Sequence, residues 1–261
     1  MKICIPTYKR TNNQITLELI PKQLKKNTTL VCNKFEEEEL KQYDVNIFAV
    51  PDEIKGIGKV RQYVIDNINE KYVWFIDDDL NFLRREQDSI KLKKIKDSDF
   101  IDLYNWNKQQ LEKGFGIVGC SAQGGNNRFE GKFTYFSRIF SVYALNTEIL
   151  HKHNIKFSEM EVMEDFNVVL DLLRFGYKSI INTEFAHNQK ASNQSGGCSE
   201  SGRTLEVQKK SALYLAQKHK PFVKVVKKKS KNWIGMEERY DVRIYWKKAY
   251  TNGNYIKGQN G

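Results

Sequence analysis

Long apolar stretches are missing from this sequence of 261 residues. No run reaches the ~18 consecutive apolar residues that a membrane-spanning helix needs, and the apolar part of residues 1–6 is far too short for a signal peptide. We therefore expect a cytoplasmic protein with no membrane partner. Hydrophobic residues make up 40% and charged residues 29% of the chain, ordinary values for a globular protein with a sizeable core.

Cysteine is scarce and scattered. Cys4, Cys32, Cys120 and Cys198 are far apart in the chain, and no two of them have the CxxC spacing. This pattern argues against both a disulfide framework and a zinc site, and it fits a reducing compartment. The first three cysteines lie in or at the end of apolar, strand-like runs, so we expect them to be small core residues.

The charge of the chain is unevenly distributed. The net charge is +11, and residues 204–261 hold fourteen Lys or Arg against four Asp or Glu, a local balance of +10. Such asymmetry indicates a surface for a polyanion, with nucleic acid or an acidic membrane as the candidates. The alternative is a lysine-rich face that only meets solvent.

Apolar strand-like runs alternate with helical patterns in the first part of the chain. The predicted strands cover residues 2–5, 28–31, 45–50 and 72–76, and the predicted helices cover residues 15–24, 36–43 and 59–68. This alternation predicts an α/β fold, a Rossmann-type and mostly parallel sheet flanked by helices.

The rest of the chain has a less regular pattern. We predict helices over residues 98–113, 158–175 and 204–219, and strands over residues 116–120, 133–145, 177–181, 222–229 and 240–246. Residues 188–203 are rich in Ser, Asn and Gly and suit a long lid loop. We expect one core over residues 1–203 with a basic carboxyl-terminal extension, residues 204–261, packed on it.

Three consecutive carboxylates, Asp77, Asp78 and Asp79, follow the apolar run 71–76. In an open α/β sheet, ligands bind at the carboxyl ends of the strands. Clustered carboxylates at that place suit a hard divalent cation that holds a diphosphate. The alternative is a solvated acidic turn.

A second motif precedes the helix predicted over residues 59–68. The segment Gly56-Ile57-Gly58-Lys59-Val60-Arg61 is neither a Walker loop nor a full GxGxxG motif. Glycines before a helix expose its free N–H groups, and Lys59 and Arg61 add positive charge, which together suit a phosphate. The alternative is a helix start with two solvated cations.

Taken in order, these motifs resemble those of GT-A-fold glycosyltransferases. The resemblance covers residues 1–203 and rests on five segments: residues 5–10 (IPTYKR), residues 75–79 (FIDDD), Gly124-Gly125, Met163-Glu164-Asp165 and His187. Within that fold the chain is most similar to the TET/JBP-associated, phage-type DNA glycosyltransferases, which modify hydroxymethylated pyrimidines. The narrower resemblance rests on IPTYKR, the aspartate triplet, the compact size and the basic tail.

The resemblance implies a nucleotide-sugar donor, with UDP-glucose expected, and a Mn2+ or Mg2+ ion. The residues implied on the donor side are Pro6, Thr7, Tyr8, Arg10, Lys59, Arg61, Asp77, Asp78, Gly124 and Gly125. The implied metal residues are Asp79, His187 and Asp77. Asp79 and His187 bind the ion directly, and Asp77 meets the ribose or an outer-sphere water. Taken alone, His187 is more typical of a structural histidine.

Asp165 is the candidate acceptor-side carboxylate, with Glu164 and Glu161 as rivals. An inverting transferase needs a general base within hydrogen-bond reach of the attacking hydroxyl, and a helix amino terminus favours an ionised carboxylate. A retaining enzyme of this fold has no such base, and the residue then only positions the acceptor or the sugar. An acid with only a helix-dipole role is the remaining alternative.

If the acceptor is a hydroxymethylated base in DNA, the basic tail is expected to bind the duplex while the base leaves the stack to enter a pocket. The predicted phosphate contacts are Lys227, Lys228, Lys229, Lys231, Arg243, Lys247 and Lys248, and the candidate stacking residues are Trp233, Tyr240, Tyr245 and Trp246. Packing of these aromatic residues against the core is the alternative.

Two other functions compete with this one. The first is a glycosyltransferase of the same fold with a polysaccharide, lipid-linked or protein acceptor, and the second is a non-catalytic DNA-binding protein. For the DNA glycosyltransferase we expect a monomer, acting in the host cytoplasm if a phage encodes it.

Overall fold

The amino-terminal part of the chain forms a parallel sheet. The computed structural model describes residues 1–87, 89–128, 130–189, 203–230, 236–253 and 255. The first strands are β1 (Lys2–Pro6), β2 (Thr28–Asn33), β3 (Asn46–Val50) and β4 (Tyr72–Ile76), and the helices between them are α1 (Ile15–Glu18), α2 (Glu37–Leu40) and α3 (Ile57–Asn67). The strands lie in the order β3-β2-β1-β4, and every neighbouring pair is parallel. The predicted alternation is confirmed, and the carboxyl ends of β1 and β4 lie side by side.

Later strands complete the sheet with both directions. They are β5 (Leu80–Arg85), β6 (Leu92–Lys94), β7 (Ile117–Ala122), β8 (Phe133–Tyr135), β9 (Val142–Asn146) and β10 (Ser179–Gln189), accompanied by α4 (Asp97–Glu112), α5 (Thr147–Lys152) and α6 (Glu164–Arg174). The order continues as β4-β9-β7-β10-β5-β6, and β8 pairs with β10. β9 is antiparallel to both of its neighbours, whereas β7 and β10 are parallel. The sheet is therefore mixed.

Apolar side chains cover both faces of this sheet. On one face Trp74 packs against Phe100 of α4, with ring centroids 5.3 Å apart. On the other face Phe75 packs against Tyr143 and Phe157, at 5.8 and 6.1 Å. A strand that is buried on both sides has a continuous apolar sequence rather than an alternating one, which explains the run in β4. Cys4, Cys32 and Cys120 are buried, as predicted, and residue 198 lies outside the described part.

The carboxyl-terminal residues pack on the same core. α7 (Leu205–Lys218) begins after Thr204, whose hydroxyl accepts a hydrogen bond from the backbone N–H of Val207 at 3.2 Å. β11 (Val223–Lys229) and β12 (Glu238–Ile244) form an antiparallel pair, and α8 (Trp246–Thr251) follows. One apolar cluster contains residues of α6 together with Ala212, Leu215, Val223, Val242 and Ala249. The basic tail therefore shares the core that supports α6.

Several predicted helix and strand boundaries are wrong. The helix predicted over residues 158–175 begins only at Glu164, after Met163 with a φ of 66°. The strand predicted over residues 133–145 is split into β8 and β9, since Phe136 and Ser141 have φ values of 52° and 59°, which an extended strand does not accommodate. The first predicted helix, over residues 15–24, ends at Glu18, ahead of Pro21.

The strand predicted over residues 177–181 continues to Gln189, so His187 lies inside β10 rather than after a strand. β5 and β6 were not predicted, and β5 follows the acidic triplet directly. At the other end of the chain, β12 stops at Ile244 and Trp246 starts α8. Of the predicted lid loop, residues 190–202 lie outside the described part of the chain. Over the described residues, no helix has both the length and the apolar character needed to cross a bilayer.

Candidate active site at the carboxyl ends of the strands

Arg10, in the loop after β1, holds two of the three aspartates that follow β4. Its guanidinium Nη1 lies 2.6 Å from Asp78 Oδ1 and 3.1 Å from Asp79 Oδ2. Thr7 donates its hydroxyl to Asp78 Oδ2 at 2.8 Å and accepts from the Gln14 side-chain amide at the same distance. The adjacent ends of parallel strands thus bring residues 71 positions apart into hydrogen-bond contact.

Burial raises the pKa of Asp78 to about 6, an effect that Arg10 and the Thr7 hydroxyl oppose. The Asp78 carboxylate is nearly inaccessible to solvent, at 5% exposure for the residue. Its oxygens are engaged by Thr7 and Arg10, so Asp78 orders the loop after β1. Asp79, with a side chain that is 16% exposed, keeps more of its surface for a ligand.

Arg61 joins the aspartate triplet to helix α6. It projects from α3, and its two terminal nitrogens lie 2.7 Å from Asp77 Oδ1 and 2.6 Å from Glu164 Oε1. The guanidinium also lies over the rings of Phe75 and Tyr143, at 5.9 and 5.3 Å from their centroids. Burial raises the pKa values of both carboxyl groups, and the charge of Arg61 opposes this rise. The Arg61 guanidinium therefore links the start of α6 to the end of β4.

Asp165, the next residue of α6, is held by Arg138. Both Nε and Nη2 of Arg138 lie 3.2 Å from Oδ2 of this carboxylate. Asp165 is 8% exposed, and it sits in the first turn of α6, where the helix dipole favours negative charge. Glu161 is exposed and lies before the helix. Of the three acceptor-side candidates, Glu164 is paired with Arg61, and Asp165 keeps one oxygen outside the contact with Arg138.

His187 is buried in β10 with no hydrogen bond to either ring nitrogen. Its ring meets Phe140 edge-on, with the centroids 5.2 Å apart. Burial lowers its pKa to about 4, and the charge of Arg138 acts in the same direction. The imidazole is therefore neutral at physiological pH and has a free lone pair. Buried polar atoms without partners need an explanation, and a metal ion is one.

A turn beside His187 contains the predicted glycines. The backbone N–H of Gln123 donates to the carbonyl of His187 at 2.8 Å, and Gly124 and Gly125 follow, the latter with a φ of 109°. Asn126 anchors this turn, because its buried amide donates to Ser121 Oγ at 2.5 Å and to the Thr183 carbonyl at 2.9 Å. The turn is tied to the strand that carries His187.

The donor set fits a divalent cation that is held by few protein ligands. In the described residues, no group of three or more His, Cys, Asp or Glu side chains is close enough to bind a metal by itself. Mg2+ commonly takes one or two carboxylates and completes its shell with water and substrate phosphates. Asp79 and the unpartnered imidazole of His187 are of this kind. Asp79 directly precedes β5, which pairs with β10. In that register Leu80 lies opposite Gln189 and Phe82 lies opposite His187.

The glycine motif before α3 has a packing role. A Cβ atom on Gly58 would lie 2.7 Å from the carbonyl oxygen of Met160 and 2.8 Å from that of Phe157, so only glycine fits there. Gly56 has a φ of 93° and precedes the helix. Lys59 is exposed near the helix start, whereas Arg61 is buried. Their proposed contact with a diphosphate stays a prediction.

The remaining donor-side residues line the end of β1. Pro6 is buried as the last residue of β1, and the backbone N–H of Thr7 continues the pairing by donating to Val31 at 2.8 Å. Tyr8 is partly exposed and packs edge-on against Phe35, with centroids 6.2 Å apart. The two rings form an edge-on aromatic pair at this end of the sheet.

The predicted nucleic-acid surface lies on β11, β12 and α8. Its exposed members are Lys227, Lys228, Lys229, Arg243, Lys247 and Lys248, whereas Lys231 and Trp233 lie outside the described residues. Lys228 pairs with Asp241 at 3.1 Å and Lys229 pairs with Glu238, which reduces the local excess of positive charge. Trp246 stacks on Phe166, so it packs against the core. Tyr245 lies under Lys224 and Lys248.

Sequence patterns did not indicate the arginine partner of Asp165. Arg138 lies in the aromatic segment 133–145, which is typical of a strand, and no motif distinguishes it there. No motif distinguishes Asn126 either. Both act through contacts across long sequence separations, and hydrophobic periodicity carries no information about such contacts.

The parallel strands, the aspartate triplet at the end of β4 and a carboxylate at the start of α6 together define the class: a GT-A-type glycosyltransferase. The chain belongs to the TET-associated glycosyltransferase family, whose model matches residues 1–197. The resemblance found in the sequence is thus confirmed.

Among characterised proteins, the chain is similar to the beta-glucosyl-HMC-alpha-glucosyl-transferases of Enterobacteria phages T2 and T6. The T2 protein is 22% identical over 218 residues, which cover 76% of this chain and 74% of that protein. The T6 protein is 22% identical over 219 residues, with the same coverage of both chains.

Two solved structures confirm the fold. S. aureus TarS 1–349 in complex with UDP-GlcNAc superimposes with a TM-score of 0.51 at 15% identity, covering 82% of this chain and 66% of that one. The chain thus spans just under two thirds of that TarS fragment. Glucosyl-3-phosphoglycerate synthase from Mycobacterium tuberculosis, in complex with Mg2+ and UDP, also gives 0.51, at 12% identity and coverage of 93% and 86%.

Proposed function

We propose that this glycosyltransferase moves a sugar from a nucleotide-sugar donor, UDP-glucose in the first instance, to a hydroxymethylated pyrimidine base in DNA. The observation that carries the proposal is the bridge made by Arg61, at 2.7 Å from Asp77 and 2.6 Å from Glu164. It sets a donor-type carboxylate cluster beside the amino terminus of an acceptor-side helix. Family membership and the names of the two phage relatives support the choice of acceptor.

On the donor side, Asp79 and His187 are the proposed ligands of Mn2+ or Mg2+. When bound, such an ion stabilises the negative charge that develops on the departing nucleoside diphosphate. Thr7, Tyr8 and Arg10 form the wall for the nucleoside, and Lys59 adds positive charge near the diphosphate. Asp78 takes no direct part, because its carboxylate is engaged in holding Arg10 and Thr7 in place.

On the acceptor side, Asp165 is proposed to meet the hydroxymethyl group. If the anomeric configuration is inverted, the carboxylate takes the proton of the attacking hydroxyl as the C–O bond to the sugar forms and the bond to the diphosphate breaks. If it is retained, Asp165 orients the acceptor or the sugar without taking the proton. The anomer of the product decides between these roles.

Binding of the duplex is assigned to the basic carboxyl-terminal surface. Lysines and arginines neutralise phosphates, and the target base must be rotated out of the stack before it reaches Asp165. Tyr240 and Tyr245 are the rings proposed to stack on a neighbouring base, because each is partly exposed and each has two lysine side chains over its ring.

A second acceptor is favoured by the name of the phage relatives, which describes transfer to a base that already carries a β-glucosyl group. In this variant of the proposal, the attacking hydroxyl belongs to a sugar rather than to the hydroxymethyl group. The site then has to accommodate a larger flipped-out nucleotide.

Mass spectrometry of DNA tests both versions. Duplexes with cytosine, hydroxymethylcytosine, hydroxymethyluracil or β-glucosyl-hydroxymethylcytosine are incubated with the protein, Mn2+ or Mg2+ and each of several nucleotide sugars. One added hexose on a hydroxymethylated or glucosylated base is expected, and NMR of the released nucleoside gives the anomer. Sugar transfer to polysaccharide, lipid or protein acceptors, with none to any DNA, contradicts the proposal.

A further inference from the structure

Arg138 lies in the segment between β8 and β9, and its guanidinium is held between two aromatic rings. The guanidinium carbon is 4.2 Å from the centroid of Phe140 and 4.1 Å from that of Phe166. Phe166 in turn stacks on Trp246 of the carboxyl-terminal segment, with centroids 5.9 Å apart and planes 13° from parallel. Three rings and one cation thus form a continuous stack.

This stack gives the arginine a restricted orientation. The side chain of Arg138 is 44% exposed, and ion pairs with that much solvent access contribute little when the arginine is free to move. Contacts with two ring faces limit the rotation of the guanidinium plane and add cation–π attraction. The position of its nitrogens is therefore set by the rings before any ligand binds.

The contact with Asp165 is directed at one oxygen. Nε and Nη2 of Arg138 both lie 3.2 Å from Oδ2, so Oδ1 stays outside the contact. These two contacts restrict the rotation of the Asp165 carboxylate. Reactive groups must be held within a fraction of an ångström, and a misplacement of 1 Å costs on the order of 10²-fold in rate.

We propose that Arg138 is a positioning residue, which holds the Asp165 carboxylate by Oδ2 and so presents Oδ1 to the acceptor hydroxyl. The inference rests on the proposed function, since it concerns the same acceptor-side carboxylate. It assigns a task to a residue that no donor or metal role uses. It also makes Trp246 of the carboxyl-terminal segment the outer support of the catalytic side chain.

The test compares Arg138→Met, Arg138→Lys and Arg138→Ala with the wild type in the DNA assay. Arg138→Met keeps much of the apolar contact with the rings and loses the two N–H donors. We expect kcat to fall on the order of 10²-fold, with the KM for DNA, the affinity for the donor and the melting temperature close to those of the wild type. Arg138→Lys is expected to have a kcat between those of Arg138→Met and the wild type. Its single ammonium group can donate to Oδ2 but cannot reproduce the two N–H contacts of the guanidinium.

Chemical rescue separates positioning from folding. Guanidinium ions at millimolar concentration are expected to raise the kcat of Arg138→Ala, and sodium at the same ionic strength is not. Arg84→Met is the matched control, because Arg84 also pairs with a carboxylate, Asp99, and lies over a ring, Phe185, outside the site. This control is expected to keep the wild-type kcat.

Three results overturn the inference. Wild-type kcat in Arg138→Met is the first, and a higher KM for DNA with unchanged kcat, which makes Arg138 an acceptor-binding residue, is the second. The third is a loss of activity that parallels a lower melting temperature of the variants and that guanidinium ions do not reverse. If the wild type itself transfers no sugar to any DNA in the panel, the proposed function fails and this inference fails with it.

Discussion

At the scale of single residues, the site is organised by arginines that pair with its carboxylates. Arg10 holds Asp78 and Asp79, Arg61 spans Asp77 and Glu164, and Arg138 holds Asp165. Uncompensated carboxylates at this density would repel one another and resist burial. The guanidinium groups offset that repulsion in the absence of ligands, so the acidic site can form as the chain folds.

Replacement of Asp79 by alanine tests the metal assignment. We expect transfer to be abolished and the melting temperature to change little, because a partly exposed carboxylate contributes little stability but the cation loses a ligand. Asp44→Ala, at an exposed aspartate, is the control. Full activity of the wild type in excess EDTA, with no metal detected in the protein, would contradict the assignment of Asp79 and His187.

Replacement of Asp165 by asparagine tests the acceptor-side carboxylate. The isosteric amide leaves the donor side untouched, so we expect unchanged affinity for the nucleotide sugar and a turnover lower by about 10²-fold or more. Turnover is measured with hydroxymethylated duplex, and donor affinity by calorimetry. If turnover is unchanged, Asp165 leaves the list of catalytic residues, and Glu161→Gln and Glu164→Gln become the next variants.

The carboxylates of the site could be predicted from the sequence, but their pairing with arginines could not: Arg10 and Arg61 were predicted only as donor contacts, and Arg138 was not predicted at all. Asp77, Asp78 and Asp79 follow an apolar run that identifies a buried strand, so their place at a strand end is a local property. The pairing of Arg61 with Glu164 joins positions 103 residues apart, and that of Arg138 with Asp165 joins positions 27 apart. Such contacts depend on how strands are ordered in the sheet, which periodicity does not encode.

At the scale of elements, the errors of prediction fall where non-glycine residues have positive φ. Phe136 and Ser141 at 52° and 59° interrupt the aromatic run 133–145, and Met163 at 66° delays the start of α6. Apolar content extends across these positions, so the sequence pattern shows no boundary. Residues in sparsely populated backbone regions are costly and concentrate at functional sites. Here Phe136 and Ser141 flank the segment that carries Arg138, and this segment lies outside the sheet, between β8 and β9.

The junction of α6 and α7 provides a test of stability against pH. His219 is fully buried, its Nε2 lies 2.9 Å from Asn167 Oδ1, and its Nδ1 lies 3.3 Å from Arg174 Nη1. A neutral ring donates to the amide oxygen and accepts from the guanidinium. Burial lowers the pKa of His219 to about 2, with Lys218 and Arg174 acting in the same direction.

Because the folded pKa lies below the unfolded value of about 6.5, only the unfolded chain binds a proton as the pH falls below that value. The stability associated with the neutral ring is thus complete above pH ~6.5 and is lost towards acid. The free energy of unfolding is measured in urea at pH 7 and at pH 5. Between these two pH values we expect it to decrease by about 2 kcal/mol more in the wild type than in His219→Gln, whose amide replaces the Nε2 donor. Equal losses in the two proteins would show that His219 titrates normally in the folded state.

At the scale of the whole molecule, positive charge is concentrated beyond the matched family region. The match to the family ends at residue 197, and residues 204–261 hold most of the net charge of +11. The composition of this segment was readable from the sequence. Within this segment Lys228 pairs with Asp241 and Lys229 pairs with Glu238, which lowers the number of lysines available to a polyanion. These pairs became visible only in the register of β11 and β12.

Replacement of Lys227, Lys228 and Lys229 by alanine tests the proposed DNA surface. A plot of the logarithm of duplex affinity against the logarithm of salt concentration has a negative slope. In the variant the magnitude of this slope should decrease by up to ~0.9 for each phosphate that is no longer neutralised. The KM for DNA should rise, and hydrolysis of the donor by water should not change. Alanine at the exposed Lys22, Lys26 and Lys41 removes the same charge elsewhere. Equal salt slopes for both triple variants would contradict a specific surface.

The shared core of α6 and the carboxyl-terminal segment limits how this enzyme can evolve towards new acceptors. A unit whose valines and alanines complete the main core cannot be exchanged as a module, because its removal would expose the apolar face of α6 to water. In β11 the buried Val223 and the exposed Lys224 and Lys228 point to opposite faces, because side chains alternate along a strand. Substitution at the exposed positions leaves the packing intact. Substitutions at the exposed positions can therefore change the charge of this surface while the backbone and the buried side remain under selection for folding.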